Sequence, residues 1–268
     1  MAPSESITEK QQYIYSIAKS YLKDNAPVRG NDLSVYFDIQ RTYSTKNEIL
    51  YQLLSSLQNK QMMSKVIGFE DSNKQATFRQ LLFEYDAVAI LAAYATDSDL
   101  FMQFDNSFTI KNKDSKGNSW RRYAKSVLSA CAFIERFVNA DDFAAYVEKE
   151  LHCDLSTDIL VDKIAKEVYG LGFPLACDFL KELGYWQYSK PDVHIINIFT
   201  ALGLCVDNEY AAYCAVRDMA RAVNETPFNV DRLFWLIGSG NFYKHKGAKA
   251  TDIDKWEFVK ILQEGDRQ

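Results

Sequence analysis

Asp192 follows Pro191 at the point where an apolar helical run, residues 195–204, begins. It is therefore a candidate N-cap, and it also sets a carboxylate where helix amides stabilise negative charge, which suits a group that must offset a positive charge nearby. Upstream, Gly170-Leu171-Gly172 interrupts two helical patterns. The first carries Ile159, Leu160, Ile164 and Val168 behind Ser156 as its cap; the second, residues 174–183, has Pro174 in its first turn and Gly184 at its end. Glycines in such a turn permit positive φ and close approach of a ligand, and the free amides opening the second helix can hold a phosphate. Ordinary turns between helices also use such a pair. Asp231 and Trp235 stand four residues apart, on one face of a helix. Residues 111–125 hold six basic side chains, among them Arg121, Arg122 and Lys125, against the single acid Asp114. Such a stretch suits phosphate, although a solvated loop has the same composition. A second basic cluster is Lys244, His245, Lys246 and Lys249.

Helices must position these groups, because helical periodicity dominates and strand alternation is nearly absent. The fold class expected is all-α. Ile49, Leu50, Leu53, Leu54 and Leu57 predict one amphipathic helix over 46–66, with Ser44 or Thr45 as its cap. Further helices are predicted over 74–94, 120–138 and 141–150, whereas 97–118, rich in Asp, Asn, Ser, Lys and Gly, reads as a loop. The chain has 268 residues, 47 % of them hydrophobic, which is ample for a sizeable core. Its longest apolar run, residues 87–95, falls short of the roughly 20 residues that span a bilayer. The first residues lack the pattern of a secretory signal, so a cytoplasmic, nucleoid-associated location is expected. Five dispersed cysteines (Cys131, Cys153, Cys177, Cys205, Cys214) and three dispersed histidines offer neither a zinc site nor a disulfide framework. A net charge of −5 weighs against a nucleic-acid partner, and only the local basic stretches oppose it.

The string Tyr169-Gly-Leu-Gly-Phe-Pro-Leu-Ala-Cys-Asp-Phe-Leu180, followed by Lys190-Pro-Asp-Val-His194, resembles the helix-hairpin-helix and Gly/Pro-Asp signature of base-excision DNA glycosylases. The likeness spans about 46–243, is most specific over 156–204, and is nearest to the 8-oxoguanine glycosylase-like branch. It implies two helical lobes with a DNA-binding cleft: 46–189, ending in the hairpin, and 1–45 with 190–268, carrying the aspartate. It also implies that Gly170, Gly172 and Pro174 belong to a hairpin that grips backbone phosphates, with Na+ or K+ bound there, and that Asp192 is the catalytic carboxylate. Such a carboxylate stabilises the oxocarbenium character of a breaking N-glycosidic bond and activates water.

Members that also cut the strand carry a Schiff-base lysine where this chain has Pro174, so a monofunctional enzyme leaving an abasic site is expected. Lys181 and Lys190 are the nearest amines in sequence. The resemblance further makes Gln58 and Asn59 candidates to fill the gap left by a flipped base, and Asp231 with Trp235 the base pocket, an oxidised purine being favoured. The closely spaced cysteines of the family's iron–sulfur members are absent, so no cluster is expected. The partner implied is duplex DNA, bound by a monomer that needs no other cofactor. Two other readings stay open: a DNA-binding module without catalysis, and a hydrolase of modified nucleosides outside duplex DNA.

Overall fold

The computed structural model describes residues 6–245, 248 and 253–265. They form fifteen α-helices and no β-strand. In chain order the helices are α1 (Ile7–Asn25), α2 (Asn31–Ser34), α3 (Lys46–Gln58), α4 (Ser64–Ile67), α5 (Ser72–Leu81), α6 (Ala87–Ala93), α7 (Asp97–Ser107) and α8 (Ser119–Glu135). They continue with α9 (Ala140–Glu148), α10 (Asp154–Glu167), α11 (Phe173–Glu182), α12 (Val193–Ala201), α13 (Glu209–Ala222), α14 (Pro227–Ser239) and α15 (Lys255–Gly265). The chain divides into two compact units: a continuous one, Arg41–Leu183, and a split one, Met1–Gln40 with Gly184–Gln268. No described helix is long and apolar enough to cross a membrane.

In the continuous unit α8 is the axis. Its buried Tyr123, Val127, Ala130, Cys131 and Ile134 recur at helical spacing, and α3, α6 and α7 pack around it. At its start Trp120 stacks on Phe108 with ring centroids 4.8 Å apart, beside the fully buried Phe78 and Phe104. Each such side chain withdrawn from water contributes roughly 1.5–3 kcal/mol. Thr45 caps α3 in a reciprocal capping box with Glu48.

Three sequence expectations change here. The predicted 46–66 helix stops at Gln58 and resumes only as the short α4. The 74–94 helix is broken between α5 and α6 by Phe83, Glu84 and Tyr85, whose φ angles of 47°, 52° and 64° are all left-handed. Neither glycine nor proline marks this break; burial of Tyr85 against Tyr51 and Phe69, together with Asp86 capping α6, holds it. Residues 97–118 are loop only in their second half. Thr96 and Asp99 form a capping box that starts α7, which buries Leu100, Phe101 and Phe104.

In the split unit α14 occupies the centre, with Val230, Leu233, Phe234, Leu236 and Ile237 buried against α1, α12, α13 and α15. A Cβ at Gly238 would stand 2.6 Å from the Cβ of His194, so α12 and α14 meet there without room for a side chain.

Candidate functional site

Within the continuous unit, α10 and α11 pack together and are joined by a tight turn. Val168 ends α10, Leu171 is buried, and the two glycines differ. Gly170 has φ +90°, and a Cβ there would lie 2.6 Å from Ser126 Oγ. Gly172 has φ −53°, which any residue adopts, and its nearest obstacle to a Cβ is Pro174 Cδ at 3.9 Å. The fold therefore requires glycine at 170 and leaves room for a side chain at 172. No side chain caps α11, and Pro174 occupies its first turn. The turn is held by α8: the Tyr169 N–H donates to Ser129 Oγ at 2.8 Å while Ser126 abuts Gly170. Sequence reading missed both serines; their i, i+3 spacing on the buried side of α8 is the only trace of the contact.

The basic side chains lie beside this turn. Lys125 Nζ is 4.2 Å from the centroid of the Tyr169 ring. The Arg121 guanidinium lies 4.0 Å from the Phe101 centroid while its Nε–H donates to Lys113 O at 2.7 Å. Arg122 Nη1 donates to Gln61 Oε1 at 3.1 Å.

Gln58 is not available to fill a gap in a duplex. It is 2 % exposed and its Oε1 accepts from the Phe69 N–H at 2.8 Å, so this amide satisfies an internal backbone donor. Asn59 is half-buried at the end of α3, its Nδ2 donating to Ser55 O at 3.3 Å. The exposed amide of this segment is Gln61, on a left-handed backbone with φ 48°, a conformation that no residue type announces in the sequence.

In the split unit Asp192 is the N-cap of α12. Its Oδ1 accepts from the His194 N–H at 2.9 Å and the Ile195 N–H at 3.3 Å, which fixes a half-buried carboxylate at the head of the helix. His194 is in turn wedged against Gly238, so the α12 start is registered on α14. Asp231 and Trp235 share α14, but Asp231 is 1 % exposed and faces the interior. It cannot receive a base edge from that position, and it is not the helix cap either, because Thr226 fills that role. Trp235 is half-buried, 6.0 Å from Tyr243 between centroids, with the Arg232 guanidinium 5.7 Å from its ring. Lys244 and His245 pack on Tyr36, whose hydroxyl lies 3.0 Å from His245 Nδ1; Lys246 and Lys249 lie outside the described residues.

Lys181 is 4 % exposed and lies 3.4 Å from Glu182 and 3.7 Å from Asp178. An ammonium held between carboxylates is a poor nucleophile. Among the described residues no three His, Cys, Asp or Glu side chains gather as a metal site. All five cysteines are free thiols. No protein-family model, curated protein or solved structure matches the chain.

Proposed function

We propose that the chain is a monofunctional DNA glycosylase that flips a damaged or modified base from a duplex and hydrolyses its N-glycosidic bond. The observation that carries this reading is Asp192, whose carboxylate is fixed by two backbone amides at the start of α12. Such a group, immobilised before the reaction, can stabilise positive charge on the sugar and orient water without reorganising. The α10–α11 turn supports it: an uncapped helix start behind an unobstructed Gly172 lets a phosphate reach the amides. Water is the nucleophile in this reading: Pro174 offers no amine at the family's lysine position and Lys181 is engaged by acids, which leaves Lys190 as the amine that cleavage without alkali would implicate. Of the residues assigned to a base pocket, Trp235 keeps its stacking role and Asp231 does not.

Incubation with duplexes that each hold one modified base, with and without hot alkali, tests this assignment. The expected outcome is strand cleavage only after alkali, and a loss of at least about a hundredfold in Asp192→Asn, since one charge-stabilising group is worth roughly that much. Asparagine caps a helix as well as aspartate does, so this variant should keep its fold. Cleavage without alkali would reveal an imine-forming lysine, and tight binding without any excision would identify a binding module.

A further inference from the structure

Helix α7 and the loop that follows it wall a cleft of about 300 Å³ in the continuous unit. Four cations, Lys116, Arg121, Arg122 and Lys125, line it against one carboxylate, that of Asp97. Among the described residues none of these four cations lies within 4.0 Å of a carboxylate oxygen. Neutral groups hold three of them in place instead. Arg121 rests on Phe101, Lys125 on Tyr169, and Arg122 on the Gln61 amide, while Arg122 Nε is a buried donor without a partner. Convergent like charges repel one another, and in a chain with a net charge of −5 nothing general recruits them to one place. An anion in the cleft removes the repulsion. A guanidinium laid on an aromatic shelf, as Arg121 is on Phe101, presents its free N–H donors in the fixed geometry that phosphate oxygens accept.

We propose that this cleft is a phosphate pocket, taking one phosphate of a nucleic-acid chain, either a backbone diester or a strand-end monoester. It depends on the glycosylase reading only for the source of that phosphate. The pocket borders the α10–α11 turn through Tyr169, and it makes α7 and the 108–118 loop part of the nucleic-acid surface.

The test is calorimetric titration of the full chain with inorganic pyrophosphate at low ionic strength. Expected is one saturable site, weakened roughly tenfold or more in the double variant Arg121→Glu/Lys125→Glu and unchanged in Asp192→Asn. Lys116→Glu, on the exposed loop, repeats the test if the double variant loses its fold. Competition then identifies the source. Displacement only by an oligonucleotide bearing a terminal phosphate assigns a strand end, and equal displacement by an unphosphorylated one assigns the backbone. Absence of saturable pyrophosphate binding, binding that survives charge reversal in a folded variant, or failure of both oligonucleotides to compete would each overturn the proposal. None of these outcomes bears on excision, which the Asp192→Asn assay decides.

Discussion

A methyl group at position 170 would press on Ser126 Oγ at 2.6 Å from a backbone that already favours glycine, whereas at 172 it would make only an ordinary contact, with Pro174 Cδ at 3.9 Å. Gly170→Ala is therefore expected to cost about 1–3 kcal/mol of stability, read as a lower unfolding midpoint, through strain and overpacking together. Gly172→Ala should leave the midpoint nearly unchanged and weaken DNA binding, because a methyl group at the start of α11 hinders the approach of a phosphate to the backbone. Equal destabilisation by both substitutions would remove the reason for assigning a ligand to this turn. The glycine pair was legible in the sequence; its division of roles was not, because Ser126 belongs to a distant helix and gives the obstruction on one side only. Burial withdrew Gln58 and Asp231 for a similar reason. Spacing along a helix says which residues share a face, and packing decides whether that face looks outward.

Among the elements, those with a local chemical signal were legible. Thr45 stands three residues before Glu48, and the capping box forms: Glu48 Oε2 accepts from the Ser44 N–H at 2.7 Å and the Thr45 N–H at 2.9 Å. The Ser44 amide, then its hydroxyl, holds the Glu48 carboxyl below the usual carboxylate range. A carboxylate with a lowered native pKa adds stability that is present above its unfolded value, about 4.3, and is lost as the pH falls through the native one. Between about pH 6 and pH 3.5 the wild-type unfolding midpoint should accordingly fall more than that of Glu48→Gln. Parallel midpoints across that range would mean that the box forms without help from the charge. The left-handed break at Phe83–Tyr85 and the start of α7 escaped sequence reading for opposite reasons. At the break, tertiary burial of Tyr85 overrides an unbroken helical pattern; at α7, a short apolar set is hidden in a polar stretch.

Over the whole molecule, the all-α character followed from periodicity, and the same packing sets a dependence on alkaline pH that no single element shows. Burial pushes the Cys131 thiol up to about 12 and, as the leading cause, the Tyr85 and Tyr146 hydroxyls up to about 12. Tyr123, fully enclosed in the same unit, is raised well above its ordinary value. Each native pKa lies above the unfolded one, so stability is intact below about pH 8.5, where the unfolded thiol begins to ionise, and declines as the pH climbs toward the native values. For Cys131 alone the loss by pH 10 is about 2 kcal/mol, because the unfolded chain releases a proton that the native core retains. Tyrosines add to it only above about pH 10. Cys131→Ala should cost stability at neutral pH, by opening a small cavity, and yet lose less than wild type between pH 7 and 10. Denaturant unfolding of both proteins at the two pH values measures the difference directly. If both lost the same amount, the thiol would have to be ionised or solvated in the native state, and the axis of the continuous unit would be less tightly packed around α8 than its geometry indicates.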